Sequence, residues 1–397
     1  MIKFSARRNL IYVLFALLTY AIRKIILILI HSLFKMTSSI LFTILMFLSE
    51  LITGLILFIY QKNSLPQKML MDKYFLKFKK KDKYGIDSNF KIYSILIILG
   101  FFDFVGFKIS VLYLTKIKGF SGSLEDRLCG LLIIICTLMY YYVLKFPIFR
   151  HQFFSLLLIG ICLIALVISE SIFQKDNISL FNNYSNFILL IVLIIIELFF
   201  LAALHTGDKY LIEFNLVKPC NILIFESLSG LFFSFIALLE DNPFIKLKTI
   251  YDKESGGSFT LFIFLLFCYL TLSGLFNIYR LEVNKLYSPM AESLSNYFLN
   301  PLFMIYYYIS GDDFIINGDK NLPYFIINLI LSIIISFTGL VFNEFVIIFC
   351  CGLEHNTYKQ IIQRAENNHS EIRQLSNNSE TTDSKSEIET ETYQIYI

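Results

Sequence analysis

The chain has 397 residues, of which 56% are hydrophobic and 16% are charged, and its formal net charge is +3. A water-soluble protein this apolar could not cover its surface with polar groups, so the composition excludes a soluble globular domain. It predicts a multi-pass membrane protein that has the lipid bilayer as a partner. A nucleic-acid partner is not expected for a chain dominated by membrane helices.

Ten apolar segments of about 20 residues, the length that crosses a bilayer, follow one another along the chain. They are predicted at Asn9–Phe34, Thr37–Tyr60, Tyr93–Thr115, Glu125–Leu144, Gln152–Ile172, Phe187–Leu211, Asn221–Leu239, Phe259–Tyr279, Met290–Ile309 and Tyr324–Cys351. The first lacks a small-residue cleavage site and is too long for a signal peptide, so we expect a retained signal-anchor helix. A basic loop occupies 61–91, and the polar tail at 354–397 is predicted to be a disordered cytosolic segment.

The charges of the loops predict the orientation of the chain, since ten segments place both termini on one side. The N-terminus, the 61–91 loop and the turn from Lys145 to Arg150 are basic and fall on the same face. The positive-inside rule assigns this face to the cytosol. The opposite face carries glycosylation sequons at Asn177 and Asn183. These features favour a glycoprotein of the endomembrane system (Golgi, ER or lysosome/vacuole) or of the plasma membrane.

The fourth and ninth segments share a pattern, seen in Ser121–Tyr142 and Ser288–Tyr308. Each stretch opens with a serine and a glutamate four residues apart and closes with three consecutive tyrosines. A split after segment five gives two halves of five segments, 1–172 and 187–351. An odd number of helices per half forces the second copy to insert upside down. The predicted fold is therefore an all-α integral membrane protein of about ten transmembrane helices in two inverted five-helix repeats.

Three stretches carry a resemblance to a known family. Asp103–Glu170 has an acid in segment three and an Arg-x-x-Gly that opens segment four. Asp208–Gly230 contains a Lys-Tyr linker and a Glu-x-x-x-Gly start of segment seven, with Ser227 where the family has glycine. The third stretch is Asn277–Asn300. Together they resemble the drug/metabolite transporter superfamily, and within it solute carrier family 35, particularly the F-type members and the related chloroquine-resistance transporter.

The resemblance implies a central binding site lined by segments three, four, eight and nine. An ionisable side chain at mid-membrane costs about 2.5–3.5 kcal/mol, so such residues face a watery cavity or a partner. Arg127 opposes the dipole at a helix N-terminus and is suited to an anionic group such as a phosphate. For Asp103 a structural bond between helices is an equal alternative. The candidate cavity residues are Asp103, Lys108, Arg127, Glu292, Asn296, Tyr297 and Asn300.

Glu197 and Glu226 are candidate proton-coupling groups, with structural pairing as the alternative. His205 is interpreted as a packed, hydrogen-bonded histidine. The sequence has no Cys/His cluster and no HExxH motif, so neither a metal site nor a cofactor is predicted, and the chain is not expected to be an enzyme.

These observations predict a secondary transporter that moves a small polar or charged metabolite by alternating access. A nucleotide sugar is one candidate substrate by resemblance. However, the cationic groups are offset by acids, namely Asp103, Glu125, Asp126 and Glu292 against Lys108, Arg127 and Arg280. The alternatives are an exporter of cationic or amino-acid-like solutes from a lysosome-like compartment, and a non-transporting structural or sorting protein. A homodimer is one possible assembly of the chain.

Overall fold

The computed structural model describes residues 6–34, 39–63, 88–116, 123–146, 148–173, 184–215, 217–238, 248, 256–310, 314–316 and 319–346. Most of the 61–91 loop, both predicted sequons at Asn177 and Asn183, and the 354–397 tail lie outside these residues.

Helices make up nearly all of the described chain, and one short hairpin with two residues in each strand is present as well. The helices are α1 (Ala6–Phe34), α2 (Ser39–Asn63), α3 (Ser88–Lys116), α4 (Ser123–Leu128), α5 (Leu131–Leu144), α6 (Arg150–Phe173), α7 (Tyr184–Glu213), α8 (Pro219–Ala237), α9 (Gly256–Leu286), α10 (Pro289–Tyr297), α11 (Asn300–Ser310) and α12 (Leu322–Phe342). The hairpin pairs β1 (Ile315–Ile316) with β2 (Asp319–Lys320) in antiparallel fashion.

Nine segments within the described ranges are long and apolar enough to cross a membrane. They are Ile11–Ile30, Ile40–Tyr60, Phe90–Ile109, Asp126–Leu144, Arg150–Phe173, Ile188–Glu213, Pro219–Ala237, Phe259–Leu286 and Leu322–Phe342. The chain is thus an all-α, multi-pass membrane protein, as the composition predicts.

The ninth predicted segment, Met290–Ile309, differs from the prediction because it is not one helix. It is divided into α10 and α11 by a turn at Phe298 and Leu299. Pro301 explains the break, since proline has no N–H to donate to the carbonyl four residues earlier and its ring clashes with that carbonyl. Hydropathy reports the composition of a segment and not its continuity, so the sequence pattern alone predicted a continuous helix.

The fourth predicted segment is interrupted as well, at Cys129 and Gly130 between α4 and α5. Here the cause is a tertiary contact. The Asn300 side-chain amide donates a 2.7 Å hydrogen bond to the main-chain carbonyl of Asp126. The same carbonyl accepts a 3.3 Å bond from the Cys129 N–H in place of the usual bond from Gly130, so the backbone tightens here while the outside donor occupies the carbonyl. The two interrupted segments therefore meet at their breaks.

The helix packing follows a paired pattern when each predicted segment is matched with the one five places later. The packing of α1 on α9 is matched by that of α7 on α3, and α3 on α8 is matched by α9 on α2. The pairs α2 with α8 and α6 with α12 each join two matched segments. The half-helices cross in the same way, because α5 packs on α10 and α4 packs on α11.

Glycines allow the closest of these approaches. A Cβ atom on Gly100 in α3 would lie 2.6 Å from the carbonyl oxygen of Glu226 in α8. A Cβ atom on Gly230 in α8 would lie 2.3 Å from the Phe47 ring in α2. Such distances are below any real Cβ contact, so α8 approaches both helices only because these positions lack a side chain. The approaches bring the polar residues of α2, α3 and α8 together.

Two helix ends differ from the predicted limits. Segment eight was predicted to end at Tyr279, but α9 continues to Leu286 and places Arg280 inside the helix. Segment ten was predicted to reach Cys351, but α12 ends at Phe342. The first difference matters for function, because it moves a charged residue from a predicted helix end into the bundle.

Candidate functional site

Arg280 lies at the centre of a buried cluster of acidic side chains. Its Nη2 atom is 3.7 Å from Oδ2 of Asp208 and 3.8 Å from Oε2 of Glu226, and its Nε atom is 3.7 Å from Oε1 of Glu292. All four side chains are buried. The distances allow charge attraction but exceed hydrogen-bonding distance.

Six helices supply this cluster. Asp208 is on α7, Glu226 on α8 and Arg280 on α9. Glu292 is in the first turn of α10, where Ser288 caps the helix by accepting a 3.1 Å hydrogen bond from the Ala291 N–H. Glu50 of α2 and Asp103 of α3 are buried near the middle of their helices and lie close enough to interact electrostatically with Arg280.

His205 and Glu292 form a second contact within the cluster. Nε2 of His205 lies 3.0 Å from Oε1 of Glu292, and both side chains are buried. The side-chain amide of Asn284 donates a 2.8 Å hydrogen bond to the His205 carbonyl and so joins α9 to α7. The sequence interpretation of His205 as a packed, hydrogen-bonded group omitted its position beside Glu292.

Glu50 forms the edge of the cluster nearest α2. Its Oε1 atom accepts a 2.5 Å hydrogen bond from the Asn277 side-chain amide on α9. The other oxygen, Oε2, is buried without a hydrogen-bond partner in the described part of the chain. Asp103 interacts electrostatically with Glu50. Two acids from neighbouring helices thus lie near one another at mid-helix depth.

Several polar atoms of the cluster neither donate nor accept a hydrogen bond within the described ranges. Within the described ranges these include both carboxyl oxygens of Asp208 and Glu226, and Nε and Nη2 of Arg280. Buried polar groups without partners are costly and normally rare. Both acceptors and donors are available here, side by side. The arrangement therefore suits a ligand that bears a positive group and also tolerates a negative one.

Lys209 fixes the helices that surround the cluster. Its ammonium donates to the main-chain carbonyls of Asn284 at 2.9 Å and Tyr287 at 3.1 Å, at the end of α9. It also lies 2.8 Å from Oε1 of Glu213, one turn later on α7. A cation at the C-terminal end of a helix is favourable because the last carbonyls lack intrahelical donors. Lys209 therefore positions α9 against α7.

Arg127 lies in a different cluster, where α6 ends and α12 begins. Its guanidinium donates at 2.8 Å to Oε2 of Glu170 and at 2.8 Å to the Tyr324 hydroxyl. Asn328 accepts a weaker bond at 3.3 Å, and the Tyr324 hydroxyl also donates to Glu170. The Arg127 side chain is 0% exposed. The structure thus places Arg127 with an acid partner, and its predicted role in anion binding stays a prediction.

A third polar group surrounds the break between α4 and α5. Lys24 of α1 forms an ion pair with the Asp126 carboxylate. The Tyr307 hydroxyl of α11 lies 3.4 Å from the other oxygen of that carboxylate. Asn300 bonds to the Asp126 carbonyl, as described above, and Tyr297 is wholly buried beside it, with its ring facing Gly130. Tyr297 and Asn300 thus lie at the crossing of the interrupted helices.

The other predicted residues are spread more widely. The Lys108 ammonium lies 5.8 Å from the Phe104 ring centroid on a partly exposed face of α3, so it does not share the burial of Asp103. Glu197 is buried on α7, three turns before Asp208. The side chain of Asn296 is outside the described part of the structure. Of the predicted site residues, Asp103, Glu226 and Glu292 are the ones brought together.

The sequence interpretation missed Asp208 and Glu50 as members of this site, and it treated Arg280 only as one of several charges. The available signal was an ionisable residue within an apolar segment, which is a functional hypothesis by default. Glu50 carries that signal clearly. Asp208 and Arg280 lie near the ends of the predicted segments, where a charged side chain can reach water and does not indicate a functional site.

No group of three or more His, Cys, Asp or Glu side chains in the described ranges is arranged to hold a metal ion. The chain matches no protein-family model, and it matches no curated protein at a significant level. The family resemblance of its motifs therefore remains a prediction, and the function has to be argued from the site itself.

Proposed function

We propose that the protein is a secondary transporter that moves a small solute bearing a protonated amine, either a cation or an amino-acid-like molecule, by alternating access. The observation that carries this proposal is the surplus of acid around Arg280. Asp103, Asp208, Glu226 and Glu292 all interact electrostatically with that one guanidinium. A buried excess of carboxyl groups favours a positive ligand.

The position of the cluster supports transport rather than a purely structural role. Its members come from six helices that belong to both halves of the chain. A buried ion pair stabilises a fold only when its hydrogen bonds are satisfied. Several buried acids without hydrogen bonds reduce the stability of the folded protein, so a purely structural role does not explain them. The Arg127 cluster, which does have short hydrogen bonds, is the structural counterpart.

The paired helix packing supports an inverted repeat. Each matched packing described above is what a twofold axis in the membrane plane would generate. The crossing of two interrupted helices supports the same arrangement, because transporter sites are typically built beside discontinuous helices. Alternating access would then be a rocking of one five-helix half against the other.

We also propose that both termini are cytosolic and that the protein resides in the endomembrane system or plasma membrane, on the basis of the basic loops and sequons. A nucleotide sugar remains the second candidate substrate. The pairing of Arg127 with Glu170, and the acids around Arg280, leave less cationic charge for a diphosphate than that substrate requires.

The proposal is tested with the purified full-length protein in liposomes. Uptake of labelled lysine, spermidine, leucine and UDP-glucose is measured for the native chain and for the double variant Asp208→Asn/Glu226→Gln. We expect uptake of lysine or spermidine, reduced at least about tenfold in the double variant because a buried charged partner is removed. Glu282→Gln is the matched control, since Glu282 pairs with the exposed Lys285 on the same helix as Arg280.

The other outcomes contradict the proposal in distinguishable ways. Uptake of UDP-glucose by the native chain, without uptake of lysine or spermidine, would favour the nucleotide-sugar alternative. If none of the four solutes moves while the protein elutes as a folded species, the non-transporting alternative gains support.

A further inference from the structure

Asp208 and Glu226 are two acids that meet inside the bundle from neighbouring helices. Both are wholly buried, and their carboxyl groups lie at similar distances, 3.7 and 3.8 Å, from the same Arg280 nitrogen. The two carboxyl groups are near enough for one to donate a hydrogen bond to the other. Such a bond requires that one of them carries a proton, since a carboxylate is only an acceptor.

Among the described residues, no N–H or hydroxyl donor competes for these oxygens. In the described part of the chain, none of the four carboxyl oxygens receives a hydrogen bond from an N–H or hydroxyl group. Two carboxylates that share one site cannot both ionise without strong repulsion. A proton held between them relieves that repulsion and satisfies one acceptor and one donor at once.

The surrounding charges limit how many protons the pair holds. Arg280 lies within 4 Å of both acids. Because an arginine side chain stays positively charged in proteins, it favours ionisation of one of the two carboxyl groups. The charged groups that interact electrostatically with the pair are Glu50, Asp103, Arg280 and Glu292. Arg23, His205 and Lys209 interact in turn with these groups. The balance of one guanidinium against several acids favours a single shared proton.

Two other acids of the cluster, Glu292 and Glu50, already have closer partners. Glu292 lies 3.0 Å from the His205 imidazole, and Glu50 accepts a hydrogen bond from Asn277. Lys209 bonds to Glu213 and to the end of α9. Compared with Glu292 and Glu50, Asp208 and Glu226 are therefore the acids whose charge is more open to exchange.

We propose that Asp208 and Glu226 share one exchangeable proton, and that the ammonium group of the solute displaces it, so that the protein exchanges solute for proton. This inference rests on the proposed function, because it names the ion coupled to that transport. The step is balanced: one positive charge enters the site, one proton leaves it for water, and no bond within the solute changes.

The first test measures coupling with lysine, which carries a net charge of +1. Proteoliposomes with an acidic interior should accumulate external lysine to about tenfold per unit of pH difference, as one-for-one exchange demands. Their interior, followed with a trapped pH dye, should become alkaline as lysine enters. The exchange should not respond to a potassium diffusion potential, because it moves no net charge.

The single variants Asp208→Asn and Glu226→Gln should separate coupling from movement. Each leaves one carboxylate for the ammonium group but no proton to exchange. We expect both to lose accumulation driven by the pH difference by a much larger factor than they lose exchange of labelled for unlabelled lysine. Glu282→Gln should retain both activities, since Glu282 forms an ion pair with the exposed Lys285, away from the acid cluster.

Lysine transport that ignores the pH difference and leaves the internal pH unchanged would overturn the inference while the proposed function stands. A second measurement applies even if no solute moves. Infrared difference spectra of the purified protein across neutral pH should show a protonated carboxyl band that disappears in Asp208→Asn/Glu226→Gln. A native protein without that band does not hold the shared proton.

Discussion

Two arginines are buried among the described residues, Arg127 and Arg280, and their surroundings separate a structural role from a functional one. Arg127 donates two hydrogen bonds of 2.8 Å to Glu170 and Tyr324. Arg280 has acids at 3.7 to 3.8 Å, and its Nε and Nη2 atoms form no hydrogen bond among the described residues. A buried pair with satisfied bonds loses about 3–5 kcal/mol when one partner is removed, whereas apolar replacement of both partners is often neutral.

Arg127→Met should therefore destabilise the protein strongly, by about 3–5 kcal/mol, because it leaves the Glu170 carboxylate buried without its partner. The double variant Arg127→Met/Glu170→Met should recover most of that loss. The midpoint of thermal unfolding of the detergent-solubilised protein measures both effects. A double variant no more stable than the single variant would contradict the structural role.

Lys285→Ala is the control for this comparison. Lys285 forms an ion pair with Glu282 at 3.2 Å, and its side chain is 45% exposed. Exposed pairs contribute at most about 1 kcal/mol, so the unfolding midpoint should change little. The contrast between the two pairs isolates the effect of burial.

The sequence identified Arg127 but not its role, and the reason is physical. Its position near the start of a helix is a local feature, visible in one sequence. Its partners Glu170 and Tyr324 are 43 and 197 residues away along the chain. The same applies to Arg280, whose acids come from α7, α8 and α10. A charge can be recognised as buried from the hydropathy around it, but its partners depend on the packing.

At the scale of the helices, the order of apolar segments was predictable and their continuity was not. Segment length and hydropathy decide membrane crossing, so nine spans follow from composition. The break after α10 has a local cause in Pro301, which the sequence shows. The break after α4 depends on the Asn300 amide, which arrives from another helix.

Close helix packing leads to a prediction at this scale. Gly100→Ala should destabilise the protein by about 1–3 kcal/mol, because its Cβ would lie 2.6 Å from a main-chain oxygen of α8 that cannot rotate away. Gly160→Ala is the matched control, since the nearest atom to its Cβ is 4.0 Å away. Alanine favours a helix over glycine by about 1 kcal/mol at either site, so the control should be unchanged or slightly more stable.

Thermal unfolding of the two variants beside the native protein provides the measurement. Equal midpoints for Gly100→Ala and Gly160→Ala would mean that α3 and α8 do not approach as closely as described. All three proteins should be measured in the same detergent or lipid.

At the scale of the whole molecule, the outer surface of the bundle is apolar. Large side chains such as Ile164 and Ile172 of α6 and Phe267 of α9 are more than half exposed. Patches of this kind mark membrane or interaction surfaces, because a water-soluble protein rarely exposes them. Lipid is the solvent that makes such a surface stable, while the polar side chains turn inward.

The predicted orientation is tested by glycosylation in a eukaryotic host. Asn177→Gln and Asn183→Gln should each remove one glycan and increase the electrophoretic mobility, because both sequons are expected in a lumenal or external loop. The tail sequons supply the control, since Asn368→Gln and Asn377→Gln should have no effect if the tail is cytosolic. If a tail variant lost a glycan, the tail would lie on the lumenal or external side, and the predicted orientation would be wrong.

The bond between Glu50 and Asn277 has a consequence for synthesis of the protein. It joins residues 227 apart in the chain. At about 5–20 residues per second, α2 emerges from the ribosome about 10–45 s before its partner is made. During that interval a carboxyl group at mid-helix depth carries an insertion cost of about 2.5–3.5 kcal/mol. We therefore expect α2 to stay close to the insertion machinery until α9 is made, and we expect a nascent chain that stops before α9 to expose Glu50 as an unpaired group within the membrane.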